Sequence, residues 1–409
     1  MPLTVLHINQ SDISGGAAIA AYRLHRALRA QGVHSRLLAG VVKTDDPHVA
    51  ATPPISLPEK QVSFITRRIG LNYIQLISSW KILRHPFYQE AAILNFHNLH
   101  TDYFNYLAIP ALTQQKASLL TLHDMWSFTG HCGYSYDCTR WQTGCGNCPF
   151  PHEHPPIQRD ATQQEWKLKH WAYARSKLSI VAPSTWLAKL AGQSMLRNFK
   201  IHHIPNGIDV TRYKPLEPEK CRDLLGISPK KRVLMFVAHS LNALRKGGDL
   251  FSQALHKLPQ RLKSEILLLM IGYGGETLAS ELGIPTVNLG YVGSDQLKAI
   301  VYSAADLFLF PTRADNLPVV LQESMACGTP MVSFHVGGVP DLVRPGVTGY
   351  LASPCDVDDF CAGIIQLLED KKLREHLGTQ CRKIAEAEYP ATLQAQRYNA
   401  VYQALLQAE

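Results

Sequence analysis

Ten short apolar runs rich in β-branched residues recur along this chain, most of them separated by stretches of helical spacing. In order they are "TVLHI", "SRLLAG", "AILNFHN", "SLLTLHD", "LSIVAPS", "RVLMFVA", "EILLLMIG", "TVNLGYV", "LFLFPT" and "MVSFHVGG". A strand that is apolar throughout must be covered on both faces. Strands alternating with helices achieve that cover in parallel sheets, so the pattern predicts an α/β fold of doubly wound layers. The runs form two sets on either side of "HIPNGIDVTRYKPLEPEK" (203–220), whose Pro, Gly and charge read as a linker. A length of 409 residues suits two domains. The expected division is 1–205 and 206–389, with 390–409 a final helix. That helix follows Pro390 and sets Tyr398, Val401, Tyr402 and Leu405 on one face, so it should cross back onto the first domain. Two domains facing across a deep cleft are the expected architecture.

Lys and Arg exceed Asp and Glu by eight, which suits anionic partners such as nucleotides, acidic glycans or an anionic membrane surface. No aromatic-basic motif for nucleic acid accompanies the charge. The start "MPLTVLHINQ" lacks the basic and apolar regions of a signal peptide. No window reaches the roughly 20 apolar residues of a membrane span. A cytoplasmic protein is expected, and its nine cysteines read as thiols or metal ligands rather than disulfides.

"ADNLPVVLQESMACGTP" (314–330) sets Asp315 and Glu323 eight positions apart around a short apolar helix. Pro318 fits the first turn of such a helix, Asn316 fits its cap and Gly328 its end. Following the strand "LFLFPT", the helix would aim its positive end at the carboxyl edge of the sheet. The backbone of Asn316, Leu317 and Pro318 would then meet phosphate or sugar oxygen. Two carboxylates would repel a diphosphate, whereas sugar hydroxyls donate to them. Phosphate beside several hydroxyls describes a sugar nucleotide. The cations for its phosphates are expected from Arg245 and Lys246 in "LNALRKGGDL" (241–250), where glycines allow close backbone approach.

The stretch "ADNLPVVLQESMACGTPMVSFHVGGVPDLVRPGVTGYL" resembles the signature region of the family 4 retaining glycosyltransferases, with their two Rossmann-like domains. "ISGGAAIAAYRLHRAL", "LTLHDMW", "VAPSTWLAKLA", "HIPNGID" and "LGYV" extend the resemblance over nearly the whole chain. It implies that Glu323 binds the nucleotide ribose, that Asp315 lies beside donor sugar and phosphate, and that Lys246 binds phosphate. It also implies that His123 faces donor sugar and acceptor, with Asp124 as orienter, and that Gly15 and Gly16 let backbone amides approach the donor. The chain departs from the family in two places. Asp315 stands where Glu is commoner, and "AHSLNAL" replaces an Arg usually found shortly before the Lys.

Three further stretches carry expectations. Cys132, Cys138, Cys145 and Cys148 in "HCGYSYDCTRWQTGCGNCPFPHEHP" suit a structural zinc site, or reduced packing thiols or a redox pair. The D-x-D of "CDVDDF" (355–360) reads as a helix cap at Asp356 or Asp358, so catalysis is expected to need no metal. Residues 62–83, "VSFITRRIGLNYIQLISSWKIL", read as a core helix of the first domain. The other reading is an interfacial helix touching the inner face of the cell membrane, where a lipid-linked acceptor would wait.

The expected function is transfer of a sugar from a nucleotide-diphosphate donor to a glycan or lipid-linked acceptor, with polysaccharide or lipopolysaccharide assembly implied by the resemblance. The rivals are a sugar-nucleotide epimerase, a phosphorylase of the same architecture, and a catalytically silent sugar-nucleotide-binding subunit.

Overall fold

The structure is a computed structural model that describes residues 3–241 and 243–407. The chain divides into two compact units, one of Met1–Gly207 with Ala391–Glu409 and one of Ile208–Pro390. Each is built on a wholly parallel sheet. In the first, β1 (Thr4–Ser11), β2 (His34–Val41), β3 (Val49–Ala51), β4 (Ile93–Phe96), β5 (Ala117–Thr121), β6 (Ser179–Ala182) and β7 (Ile201–His203) run in the order β3-β2-β1-β4-β5-β6-β7. In the second, β8 (Arg232–Ser240), β9 (Ile266–Tyr273), β10 (Thr286–Asn288), β11 (Leu307–Phe310), β12 (Met331–Phe334) and β13 (Gly349–Ala352) run β10-β9-β8-β11-β12-β13. Strands β4, β5, β6, β11 and β12 are buried at every position, as covering helices on both faces require.

The winding reverses beside the first strand of each sheet. In the first unit β1 has β2 on one side and β4 on the other; in the second β8 lies between β9 and β11. Loops leaving the carboxyl ends of strands at such a reversal diverge and leave a crevice, the usual ligand position of open α/β sheets. The segments that leave β1 and β5, and those that leave β8 and β11, carry nearly every residue singled out above.

The helix Ala391–Gln407 belongs to the first unit, where Ala395, Tyr398 and Tyr402 join Val5, Leu24, Leu28 and Leu119 in one buried cluster. Asn95 Nδ2 donates to the Tyr402 hydroxyl at 3.0 Å, and the Tyr398 hydroxyl meets Thr121 Oγ1 at 3.2 Å. These bonds satisfy two polar side chains that a fully buried strand would otherwise strand. The last two residues of the expected 390–409 helix lie outside the described residues.

Residues 62–83 are not one core helix. A helix at Leu57–Arg68 is followed by a break at Gly70 and a separate 3-10 segment at Ile77–Arg84. The first helix buries only Glu59 and Thr66 and turns most of its apolar side chains outward. Apolar spacing alone does not say which face is covered. Here the covered face is the one whose polar groups find partners in the fold. No helix among the described residues is long and apolar enough to cross a membrane.

Candidate active site

In the second unit the cations and the first acid meet. Lys246 Nζ forms an ion pair with Asp315 Oδ2, and Arg245 Nη1 lies 3.4 Å from the same oxygen. Arg245 Nη1 also donates to the Ala314 carbonyl at 2.8 Å. The cation loop is stapled by its backbone to the segment leaving β11. Arg313 N–H donates to the Arg245 carbonyl at 2.8 Å, and Thr312 Oγ1 donates to the same oxygen at 3.1 Å.

Two glycines make that approach possible. Gly247 has φ 73°, and a Cβ there would stand 1.9 Å from the Pro311 carbonyl oxygen; at Gly248 it would stand 2.3 Å from that of Leu241. The two glycines of R-K-G-G are therefore required by packing. Gly337 does the same on the other side of Asp315, where a Cβ would meet the Asp315 carbonyl oxygen at 2.0 Å.

Electrostatically the cluster holds two cations on one carboxylate, which leaves one positive charge. Burial alone would raise the Asp315 carboxyl, but Lys246 and Arg245, with the Asn316 N–H at 3.1 Å, hold it below the ordinary carboxylate range. Burial and the neighbouring Arg245 lower the Lys246 ammonium, against the pull of Asp315. The side chains of Lys246 and Asp315 keep only 20% and 12% of their exposure, so water screens them weakly.

The helix after Asp315 runs Val319–Ala326 and is buried along nearly its whole length. Its cap differs from expectation. Pro318 is the N-cap residue rather than a first-turn residue, and no side chain caps the helix. The Asn316 N–H is engaged by Asp315, and Pro318 carries no N–H. The expected row of amides at 316–318 therefore reduces to that of Leu317. Gly328 ends the helix as read, with φ 75° and its N–H donating to Met325 O at 3.0 Å.

Glu323 does not stand beside Asp315 on an open face. It is 2% exposed, and its two oxygens accept from the hydroxyls of Tyr213 and Tyr302, each at 3.2 Å. The single Tyr213 hydroxyl hydrogen is shared with Asp295 Oδ1, the nearer acceptor at 2.7 Å. Neither tyrosine was singled out in the sequence. Tyr213 belongs to a stretch whose Pro and charge read only as a linker.

In the first unit Gly15 has φ 88° and is the N-cap residue of the helix Gly16–Ala30, with no atom within 4 Å of a built Cβ. Its backbone conformation, not crowding, requires glycine. Asp12, just before it, is fully buried and accepts from the N–H groups of Ile13, Lys43 and Thr44, each at 2.8 Å. This carboxylate ties the loop leaving β1 to the loop leaving β2.

His123 is held by a residue the sequence reading passed over. His97 Nδ1 lies 3.0 Å from His123 Nε2, and His97 Nε2 lies 2.9 Å from His7 Nδ1. Three imidazoles thus form a hydrogen-bonded row from β5 through β4 to β1. The signal was available, because each of the three neighbouring parallel strands carries a His on or just beyond it. Asp124, expected as the orienter of His123, bonds elsewhere: its Oδ2 meets His100 Nε2 at 3.1 Å and its Oδ1 accepts from Trp126 N–H at 2.9 Å. Burial lowers His123 to about 4 and holds His97 and His7 well below the ordinary range, so the row is neutral near pH 7.

The zinc expectation finds no support. Cys132, Cys138, Cys145 and Cys148 line one small cavity of about 20 Å³ with His131. Among the described residues, however, no three His, Cys, Asp or Glu side chains are arranged to hold a metal ion. Two of the sulfurs are otherwise engaged: Gly130 N–H donates to Cys145 Sγ, and His131 Nε2 meets Cys148 Sγ, each at 3.2 Å. Burial pushes Cys132 up to about 12 and Cys145 to about 11, which favours neutral thiols. In "CDVDDF", Asp356 is the cap, accepting from the N–H groups of Asp358 and Asp359 at 3.0 Å.

Residues 14–212 match the model of Glycosyltransferase Family 4, and residues 219–384 match that of Glycosyl transferases group 1. WcaC of Escherichia coli (strain K12), a glycosyl transferase named for colanic acid biosynthesis, is 26% identical over 84% of this chain and 85% of its own length. Among solved structures, sucrose-phosphate synthase from Thermosynechococcus elongatus superposes with a TM-score of 0.73 at 18% identity, covering 99% of this chain and 100% of that one. HepE of Anabaena, solved with UDP and glucose, gives a TM-score of 0.70 at 17% identity over 98% of this chain and 99% of that one. These structures share the fold, and the two consecutive family matches assign the chain: it belongs to the family 4 glycosyltransferases.

Proposed function

We propose that this glycosyltransferase moves a sugar from a nucleotide-diphosphate donor to an acceptor hydroxyl, with retention of anomeric configuration, at the cytoplasmic face of a membrane. The observation that carries the reading is the Arg245–Lys246–Asp315 cluster at the reversal of the second sheet. Its net positive charge suits a diphosphate, and its carboxylate suits a sugar hydroxyl. The unit Ile208–Pro390 is then the donor-binding domain, and the unit carrying Gly15, Gly16 and His123 serves the acceptor. A UDP-bound neighbour of the same fold supports a nucleotide donor.

In this mechanism the bond from anomeric carbon to phosphate oxygen breaks while a bond to the acceptor oxygen forms. Lys246 and Arg245 stabilise the charge that develops on the leaving diphosphate, roughly 3–4 kcal/mol for one such group. The acceptor proton passes to the leaving phosphate oxygen. Asp315 positions the sugar, and Glu323 accepts from a ribose hydroxyl beside the tyrosine hydroxyls already on its oxygens. His123, neutral and held by His97, orients sugar or acceptor by hydrogen bonding rather than by carrying charge. No metal is assigned a step.

Thermal-shift screening of the full chain against UDP, GDP, ADP and their sugars tests the proposal. Saturation at a hundredfold excess over Kd should add about 2.7 kcal/mol of stability with one base and little with the others. No shift with any of them would sink the donor assignment. Proton NMR of the product then reads the anomeric configuration.

A further inference from the structure

The helix Leu57–Arg68 is inside out. Its buried side chains, Glu59 and Thr66, are polar and lie seven residues apart on one face. Glu59 accepts from the Ser56 N–H (2.6 Å), the Ser56 hydroxyl (2.7 Å) and the Ser78 N–H (2.6 Å), and Thr66 Oγ1 donates to Gln75 Oε1 at 3.1 Å. The opposite face carries Leu57 at 73% exposure and Phe64 and Ile65 at 60% each, with Ile69 beyond its end and Ile77, at 69%, on the next segment. Water is a poor partner for such a face, and contiguous apolar exposure of this kind marks an interaction surface.

Charge narrows the partner. Between residues 57 and 84 the basic residues are Lys60, Arg67, Arg68, Lys81 and Arg84, all exposed, and the one acid is the buried Glu59. The Arg68 guanidinium lies over the Phe64 ring, 4.0 Å from its centroid. Apolar side chains ringed by cations suit a surface that is anionic outside and apolar just beneath, as an anionic bilayer is.

Two open pockets lead away from this face. One, about 440 Å³, is lined by Phe64, Arg67, Lys60 and Asp102; the other, about 570 Å³, reaches Ser11, Ser14, Lys43 and Thr101 at the carboxyl ends of β1 and β2. They share Ile55, Lys60 and Asp102, so they adjoin. Lys60 stands where the two meet. Arg67 is already paired with Asp102.

We infer that the outward face of Leu57–Ile69 with Ile77 docks on an anionic bilayer, and that the adjoining pockets take a lipid-linked acceptor whose phosphate lies at Lys60. The apolar end of the groove abuts the docked face, and its polar end approaches the loop that carries Gly15. This rests on the glycosyl-transfer reading and names its acceptor class.

The test is co-sedimentation of the full chain with phosphatidylcholine vesicles, with and without about one-third phosphatidylglycerol. The wild type should pellet with the anionic vesicles only and be released by salt. Leu57→Glu with Ile65→Glu, both outside the pocket linings, should weaken sedimentation by roughly tenfold or more. Arg68→Glu with Lys81→Glu should remove the preference for anionic lipid. Both variants should keep the wild-type thermal shift with nucleotide, which reads the second unit and separates this failure from that of the donor assignment. A wild type indifferent to anionic vesicles, or variants that sediment unchanged, overturns the docking face. So does a wild-type dimer that Leu57→Glu with Ile65→Glu converts to monomer, because the face then meets a second copy. For the groove, dodecyl phosphate below its micellar concentration should raise the melting temperature, and Lys60→Ala should abolish the rise. An equal rise in Lys60→Ala, or none in either protein, overturns the acceptor assignment.

Discussion

Replacing Lys246 by Met keeps the length of the side chain and removes its charge, at a position where that charge has two jobs. It holds Asp315, and it is assigned to the leaving diphosphate. At 3.4 Å and an effective dielectric of about 20, the remaining Arg245–Asp315 attraction is of order 5 kcal/mol before desolvation, enough to keep Asp315 ionised and in place. The fold should therefore survive Lys246→Met at a cost of about 1–3 kcal/mol, the usual range for a coupled, partly buried contact. Turnover should fall much further, by about 10²–10³-fold, as when one preorganised donor to a developing oxyanion is lost. Asp315→Asn and the double variant complete a cycle: the stability coupling measures the pair, and the kcat of each protein measures the chemistry. Stability is read by urea denaturation followed by circular dichroism, because all six tryptophans lie in the first unit and report only on it. Turnover is read as release of nucleoside diphosphate. If Lys246→Met loses stability as expected but keeps turnover within about threefold, Lys246 is a structural partner of Asp315 and the leaving-group assignment is wrong.

The buried histidines set a second expectation, in pH. Burial lowers His123 and His25 from 6.5 to about 4, and pushes His7 and His97 down as well. The unfolded chain takes up these protons as pH falls below about 6.5, and the folded chain does not until near pH 4, so stability is lost across that window. For His123 and His25 the loss is roughly 3 kcal/mol each. Tryptophan fluorescence should show the urea midpoint of the first unit falling steeply between pH 6.5 and 4; a flat midpoint would mean the row is charged or solvated. A third expectation concerns Gly247→Ala, which adds about 1–2 kcal/mol of left-handed backbone strain and drives a Cβ into the Pro311 carbonyl. Relief moves the loop that carries Arg245 and Lys246, so isothermal titration should show weaker nucleotide binding; unchanged affinity would mean that loop position does not matter.

Strand type and order of appearance were legible because a doubly covered strand must be apolar at every position. The ten runs all became strands. The three strands that were missed, β3, β7 and β13, are three or four residues long and lie at sheet edges. The cations and the first acid were legible for a similar reason: R-K-G-G and A-D-N are short local patterns, each placed just after a strand. Glu323 was legible as an acid on a buried helix, but its tyrosine partners come from 110 and 21 residues away, and no local pattern announces them.

What the chain determined by itself is therefore covalent and periodic: apolar runs of strand length, glycines where backbone must pass close, and charge placed after strands. What only the tertiary structure decided is which side of each element is covered and which groups meet. Helical spacing in residues 57–69 is the same whether the apolar or the polar face is buried. The choice fell to Ser56, Gln75 and Ser78, which supply the hydrogen bonds that Glu59 and Thr66 need. The imidazole row exists only because the sheet order sets β1, β4 and β5 side by side, although the chain places them 90 and 26 residues apart. Burial free energy depends on neighbours, and neighbours across a parallel sheet are fixed by topology rather than by spacing along the chain.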